Sequence, residues 1–547
     1  CPHRARADRS VEPGPGRTPA DGPGGAARAG VGVGLDQPAG PQQAHRLVEV
    51  PAQRRLRAAT ARWWLHHSLG ALRADLAERG LPLVLARGRG EAVVPALAEA
   101  VGASEVFAGH LHEPWARERD GRVGEALRGA GRALRLFRSA TLRAPSEIAT
   151  GEGRPYSTYA PFAKAALKLG PPGEALPVPE GLRAVSSPPG GEALDALRLL
   201  PRPPQPDWAA GFGTLWKPGE AGARERLQRF LQRPLGDYST ARNDPGIEGS
   251  SGLSPHLHWG EVSPRSVWQA ALEAAGGDEE GARPFLNEIL WREFSLHLLW
   301  HRPEMPEVPL RPAFARFPYE PDPQLLRAWR RGRTGYPVVD AGMRQLWRFG
   351  WMHNRVRMIT ASFLVKHLLQ PWQDGSAWFW DTLVDADLGN NSVSWQWIAG
   401  SGLDSAPYFR VFNPVAQGEK FDPAGRYVRR FVPELAKLPD RYIHRPWEAP
   451  EAVLRDAGVR VVLNAAPARV LPDALLRQID VLIVNEGELA MIDGLARIEL
   501  QRAGRGGAAI ALHLLPGQAL RVLGVVLIQL AEAQTELADI VRVQRQL

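Results

Sequence analysis

The 547-residue sequence contains a single cysteine, Cys1. That excludes an intramolecular disulfide framework and any zinc site built on several thiolates, and makes the reducing cytoplasm the expected compartment. Long apolar runs are absent too: none approaches the ~20 residues of a membrane span, and no secretory signal opens the chain. Lysine is scarce, six of the 67 basic residues, so arginine supplies the other 61. What remains is 44% hydrophobic and 23% charged, with a mean hydropathy of −0.26. Such a composition suits a soluble protein of about two to four domains. The net charge of +8 and pI of about 9.8 suit a polyanionic partner, although arginine richness also fits a GC-rich genome. Tryptophan is the opposite of scarce: 18 residues, ten of them between Trp291 and Trp397.

Residues 1–46 hold 16 glycines or prolines and no periodicity, which predicts a disordered segment or one foreign to the fold. From Leu47, apolar strands (Leu81–Leu85, Glu105–Ala108, Leu134–Phe137) alternate with helical stretches (Trp64–Arg79, Ala92–Val101), so residues 47–165 read as a parallel α/β domain. Residues 166–206 are a Pro/Gly-rich connector. From 207 to 447 the spacing is helical and β-branched runs are few, which predicts an all-α domain. After Pro450 two short strands, Val459–Leu463 and Val481–Val484, flank a helical Asp473–Gln478, and a helical tail covers about 518–546.

Four segments carry candidate chemistry. In a helix over Pro284–Trp300, Leu286, Leu290, Phe294 and Leu298 make a core stripe, and Glu288, Trp291, Arg292 and Ser295 share a neighbouring face. A half-buried indole beside an ordinary Glu–Arg pair explains that face as well as a site does. Over Asp340–Leu369, Trp351, Asn354, Arg357 and Met358 fall on one helical face. Met is usually core filler, but Asn354, Arg355 and Arg357 would be costly to bury alone, which points to a polar pocket edged by a thioether. Asp385 and Asp387, followed by Asn390 and Asn391, could serve magnesium, acid–base work or arginine; no calcium-loop pattern is present, and arginine pairing or a ligand's hydroxyl and NH groups fit better. The loop Ser250-Ser251-Gly252-Leu253-Ser254 offers hydroxyls and backbone NH groups to a phosphate, and equally reads as a plain loop. His256 and His258 read as structural.

Taken together, WREF at 291–294, GYPVVDAGMRQLWRFGWMHNRVRMITASFLVKHLL from Gly335, DADLGNNSVSWQW from Asp385 and APYFRVFNPVAQGEKFDPAGRYVRRFVPEL from Ala406 closely resemble the DNA photolyase/cryptochrome family, in particular its class I cyclobutane pyrimidine dimer photolyases. The likeness spans about 400 residues, from Leu47 to Trp447. It implies an α/β antenna domain and a helical domain holding FAD, with light-driven repair of pyrimidine dimers in ultraviolet-damaged DNA by an electron from the excited reduced flavin; the alternative is a cryptochrome-like photoreceptor without repair. It implies FAD contacts at Tyr238, Ser250, Ser251, Gly252, Leu253, Ser254, Arg292, Arg357, Asp385, Asp387 and Asn391, with Asn391 facing the flavin N5. The implied substrate side is Glu288, Trp291, Asn354, Met358 and Trp397, where a flipped-out lesion would be stacked and its polar edge read. Arg242, Arg265, Arg355, Arg410 and Gln417 fall at the DNA-facing rim. Trp395 and Trp372 match the first two indoles of an electron-carrying chain whose third position is Tyr319, and the remaining tryptophans are expected in the core. His353-Asn354 with Met358 matches the cyclobutane class; relatives acting on six-four photoproducts carry a second histidine at the position of Asn354.

Departures from the family pattern carry expectations of their own. Nothing in residues 1–46 matches the family's opening strand, so the antenna sheet is expected to lack its first strand, which leaves a folate or deazaflavin antenna doubtful and suggests an altered gene start. Gly252 stands where the family's phosphate loop usually has arginine. Residues 448–547 contain a stretch from Gly458 resembling an internal piece of ribokinase-like sugar kinases, with Asn485 and Glu488 matching N-x-x-E but without the Gly-Ala-Gly-Asp turn, so kinase activity is not expected. A monomer is expected.

Overall fold

A computed structural model of the protein describes residues 59–175, 182, 184, 186–200, 207–233, 235–404, 411–459, 462–464 and 481–483. Residues 1–46, the predicted helix at 473–478 and the predicted tail helix lie outside them. The chain divides into two compact units, Cys1–Tyr427 and Val428–Leu547.

Among the described residues, the first elements of the first unit are α1 (Ala59–Ala77), α2 (Gly90–Ala100), β1 (Glu105–Gly109), α3 (Pro114–Gly129), β2 (Ala133–Phe137) and α4 (Tyr159–Lys168). The strands pair in parallel from Glu105 opposite Ala133 to Gly109 opposite Phe137, with α3 as the crossover. Their alternation puts Val106 and Leu134 against Ala98, Val123 and Leu127 of the helices. Phe107 and Phe137 point the other way and are 62% and 55% exposed. The strand expected at Leu81–Leu85 does not form. Its last residue is committed elsewhere: the Leu85 carbonyl accepts from the Glu192 N–H at 2.7 Å, and the side chain packs with Leu65, Leu69, Leu194 and Leu197. Among the described residues the sheet of this unit therefore has two strands.

The rest of the unit is helical: α5 (Phe212–Leu215), α6 (Glu220–Leu231), α7 (Tyr238–Ala241), α8 (Ser254–His258), α9 (Pro264–Ala274), α10 (Glu279–His301), α11 (Pro323–Arg330), α12 (Pro337–Phe349), α13 (Asn354–Ser362), α14 (Trp372–Thr382), α15 (Leu388–Ala399) and α16 (Pro414–Phe421). Local signals start these helices. Asp278 caps α10 by accepting from Gly281 N, and Ser263 and Asp322 cap α9 and α11 with proline in the first turn. The core centres on α10, whose Leu286, Leu290, Phe294 and Leu298 are all buried. Truncating one of them to alanine would cost about 2–5 kcal/mol.

Asp340–Leu369 is not one helix. Gly350 ends α12 at φ +63, and a Cβ there would lie 2.7 Å from Val384 Cγ1 and 2.9 Å from Phe212 Cζ, so both the turn and its packing require glycine. Trp351 to His353 form a non-helical link, and α13 restarts with the His353 ring as its cap. Trp351 is thus delivered by the link and Asn354, Arg357 and Met358 by the helix, rather than by one continuous face.

A short helix α17 (Arg426–Phe431) runs across the boundary. Within the second unit, α18 (Glu451–Asp456) precedes β3 (Val462–Asn464) and β4 (Val481–Ile483), which pair in parallel in the register Val462 to Val481 and Asn464 to Ile483. Val462 and Leu463 of the first predicted strand and Val481 to Ile483 of the second lie in these strands.

Candidate functional site

One cavity of about 590 Å³ lies in the helical part of the first unit. Glu288, Trp291, Arg292 and Ser295 reach it from α10, Asn354, Arg357 and Met358 from α13, and Asn391, Trp395 and Trp397 from α15. Tyr238, the loop Ser250–Ser254, Asp385 and Asp387 also line it. Two of its polar groups also begin helices. Asp387 caps α15 by accepting from Asn390 N at 2.7 Å, and His353 Nδ1 accepts from Arg355 N at 3.2 Å. The chain's folding signals are thereby part of the site.

The acidic pair is divided between two partners. Arg357 donates from Nη2 to Asp385 Oδ2 at 2.8 Å and from Nε to the Met352 carbonyl at 2.7 Å. Asp385 Oδ1, buried against the cavity, has no partner. Burial opposes a charge on Asp387, but His258, Arg292 and the Asn390 N–H outweigh it and hold the carboxyl down at about 2. His258 Nδ1 lies 3.9 Å from Asp387 Oδ2, so this histidine borders the site, whereas His256 is structural: it is buried 2.6 Å from Glu261, which also accepts from Trp64 Nε1. Burial, reinforced by Arg355 and Arg357, lowers His353 to about 4. A neutral ring whose Nδ1 accepts carries its proton on Nε2, and that buried donor is unpartnered.

Asn391 donates through Nδ2 to the Ser376 carbonyl at 3.1 Å and to its hydroxyl at 2.9 Å, which leaves its carbonyl oxygen as the uncommitted end. Arg292 lines the cavity while bonding the Ala140 and Leu257 carbonyls, so it braces the site from behind. Its neighbour Glu293, 4% exposed, accepts from Leu142 N at 2.9 Å and Arg143 N at 3.2 Å, and burial pushes it up to about 7. Glu288 receives Arg242 Nη1 at 2.5 Å, and burial raises its carboxyl against that pull.

Arg265, Arg355, Gln417, Trp372 and Tyr319 stand outside the lining. Arg355 joins Asn243 and lies over Phe421 at 4.4 Å, near enough to donate to Met358 Sδ at 3.9 Å. Arg265 has Arg138, Arg143, Glu147 and Glu293 as its charged neighbours, a different neighbourhood from that of Arg242. Gln417 sits on α16 with a buried, unpartnered Oε1. Arg410 lies outside the described residues. Trp372 opens α14 at 1% exposure; Tyr319 is half-buried beside Phe317, and burial raises its phenol to about 12. Trp395 packs edge-on to Phe379 at 5.0 Å and Trp329 at 6.3 Å. The remaining tryptophans are not all core: Trp347 and Trp380 are 46% and 39% exposed, because α12 and α14 turn those positions outward. Ser376, Glu293 and Tyr159, which stacks on Trp291, went unnoticed in the sequence. Glu293 alone had a signal, as the acid of WREF.

An α/β segment leading into a helical bundle with an aromatic-walled, carboxylate-bearing cavity defines a cofactor-binding class of protein. The family model for the FAD binding domain of DNA photolyase matches residues 285–468, and that for DNA photolyase matches 43–180. A deoxyribodipyrimidine photo-lyase of Agrobacterium fabrum is 47% identical over 401 residues, covering 73% of this chain and 83% of that protein. Cryptochrome-1 of Arabidopsis thaliana is 39% identical over 417 residues, 74% of this chain and 60% of that protein. The crystal structure of a bacterial class III photolyase from Agrobacterium tumefaciens superposes with a TM-score of 0.71 at 46% identity, covering 74% of this chain and 83% of that one. The chain belongs to the DNA photolyase/cryptochrome family.

The residues present fit FAD. The cavity has the size and mixed apolar and polar lining of a cofactor site. Asp385 Oδ1 and His353 Nε2 are an acceptor and a donor left for a ligand. Gly252, at φ +61, keeps the Ser250–Ser254 loop free of a side chain where Arg226 Nη1 would meet a Cβ at 2.6 Å.

Proposed function

We propose that this chain is a light-driven photolyase that repairs cyclobutane pyrimidine dimers in DNA with bound FAD. The observation that carries the reading is that one cavity brings the Asp385, Asp387 and Asn391 set together with Glu288, Trp291, Asn354, Met358 and Trp397. In this reading the cofactor and a flipped-out pyrimidine dimer would share one enclosure. The reduced, light-excited flavin supplies the electron that opens the dimer ring and takes it back.

The chain's own residues bind and orient. Tyr238 and Ser250–Ser254 would hold the cofactor's phosphates and ribityl chain. Arg357 pairs with Asp385 and aims it, and Ser376 holds the Asn391 amide so that its carbonyl oxygen would be left for the flavin ring. Trp291 and Trp397 offer indole faces worth about 1–3 kcal/mol per stacked base. Glu288, whose proton is held to higher pH than in an exposed carboxyl, and Asn354 read the polar edge of the dimer. By the family likeness Arg242, Arg265, Arg355, Arg410 and Gln417 would contact the DNA, and Trp395, Trp372 and Tyr319 would carry the electrons that re-reduce the flavin. In this reading residues 47–165, 166–206 and 207–447 are antenna domain, connector and FAD domain, and the likeness to the Agrobacterium structure favours class III over class I.

The test is light-dependent loss of dimers from a thymine-dimer oligonucleotide incubated with the purified FAD-loaded protein, with a dark control. Tightly bound FAD without light-dependent repair would favour the cryptochrome reading, which the relative from Arabidopsis thaliana keeps in view.

A further inference from the structure

Trp291 is not free on both faces. Tyr159 lies parallel to it, with ring centroids 3.6 Å apart and planes 6° from parallel, so the phenol stacks on one face of the indole. Phe294 abuts both rings edge-on, at 5.9 Å from Trp291 and 6.0 Å from Tyr159. The tyrosine is itself fixed at two points. Its hydroxyl donates to the Asn287 carbonyl of α10 at 3.1 Å, and its backbone N–H donates to Asp404 Oδ1 at 3.0 Å. Trp291 and Asp404 line the cavity, whereas Tyr159 stands behind them.

We propose that Tyr159 is a positioning residue for dimer recognition: its ring backs Trp291 and fixes the indole so that only the opposite face is offered to a flipped-out base. The inference rests on the reading of Trp291 as a lesion-stacking residue. A tryptophan side chain able to rotate would have to be ordered on binding, and that ordering entropy would be lost from affinity. Tyr159 meets the cost during folding. The tethers explain why a tyrosine serves where a phenylalanine could stack as well: the hydroxyl sets the in-plane position of the ring, and Asp404 sets the start of α4.

The experiment measures dark binding of a thymine-dimer oligonucleotide, and of the same sequence undamaged, to FAD-loaded wild type, Tyr159→Ala, Tyr159→Phe and Trp291→Ala. Removing the stacked partner should weaken dimer binding by about threefold to tenfold. Tyr159→Ala should show that loss for damaged DNA alone, with FAD content and undamaged-DNA affinity retained. Under illumination its KM should rise while kcat holds, and Tyr159→Phe should recover most of the affinity. Wild-type dimer affinity in Tyr159→Ala, alongside a clear loss in Trp291→Ala, overturns the positioning role. If Trp291→Ala is equally silent, what falls is the assignment of Trp291 and the inference with it.

Discussion

Replacing Gly375 by alanine sets helix propensity against packing. Gly375 lies inside α14, where an added methyl would by itself favour the helix by about 1 kcal/mol. The space is already taken: a Cβ there would meet Trp395 Cη2 at 2.1 Å, Cζ3 at 2.5 Å and Leu364 Cδ2 at 2.6 Å. Carbon atoms pack at about 3.5–4.0 Å, so each contact is short by roughly 1 Å or more. Trp395, 2% exposed, cannot simply retreat, with Phe379 and Trp329 packed against its edges. Overpacking of this kind costs about 1–3 kcal/mol, and three simultaneous contacts place it at the upper end. Set against the propensity gain, the net loss is about 2 kcal/mol. Two assays read it on the FAD-loaded protein: the denaturant midpoint, and the rate of flavin photoreduction with an external donor compared with repair by chemically reduced enzyme. A lower midpoint and slower photoreduction are expected, because the indole assigned as first electron donor is displaced, while repair by pre-reduced enzyme persists. A variant as stable as wild type with unchanged photoreduction would refute the reasoning.

Asp385→Asn leaves Arg357 without its 2.8 Å anionic partner. Breaking such a half-buried pair from one side costs up to about 3–5 kcal/mol, and the variant should purify with little FAD, read as the ratio of flavin to protein absorbance. Glu293 gives a pH dependence. Its carboxyl, ordinarily near 4.5, is raised to about 7 in the folded state, so the folded protein binds more protons than the unfolded chain between those values. Stability contributed by Glu293 is therefore lost as pH rises from about 4.5 to about 7, on the order of 3 kcal/mol in all. Glu293→Gln should flatten the stability–pH curve in that window; an unchanged slope in urea melts from pH 5 to 8 would count against a raised carboxyl.

The helical domain was legible because its signals are local. The stripe Leu286, Leu290, Phe294 and Leu298 needs only near neighbours in sequence. The break at Gly350 was missed because the apolar period continues through it, and only the approach of Phe212 and Val384, distant in the chain, shows why the helix must end. The strand at Leu81–Leu85 failed for a related reason: a strand needs a partner, and Leu85 gives its carbonyl to Glu192 instead. Long motifs made the cavity-lining residues recognisable one by one. What each is bonded to was not recognisable, since Ser376 behind Asn391, Tyr159 behind Trp291 and His258 beside Asp387 are joined by the fold alone. The tryptophans assumed to be core show the limit of composition, because Trp347 and Trp380 lie at the surface.

Arg292 and Glu293 are consecutive on α10, yet both reach the same stretch of chain, one giving hydrogen bonds to the Ala140 carbonyl and the other taking them from the Leu142 and Arg143 amides. Peeling residues 140–143 away would strand a guanidinium and a carboxylate in the interior together. That couples the segment following β2 to the central helix as one cooperative opening unit. In hydrogen–deuterium exchange the Leu142 and Arg143 amides should then keep time with the middle of α10, although they sit in an irregular loop where exchange is ordinarily fast.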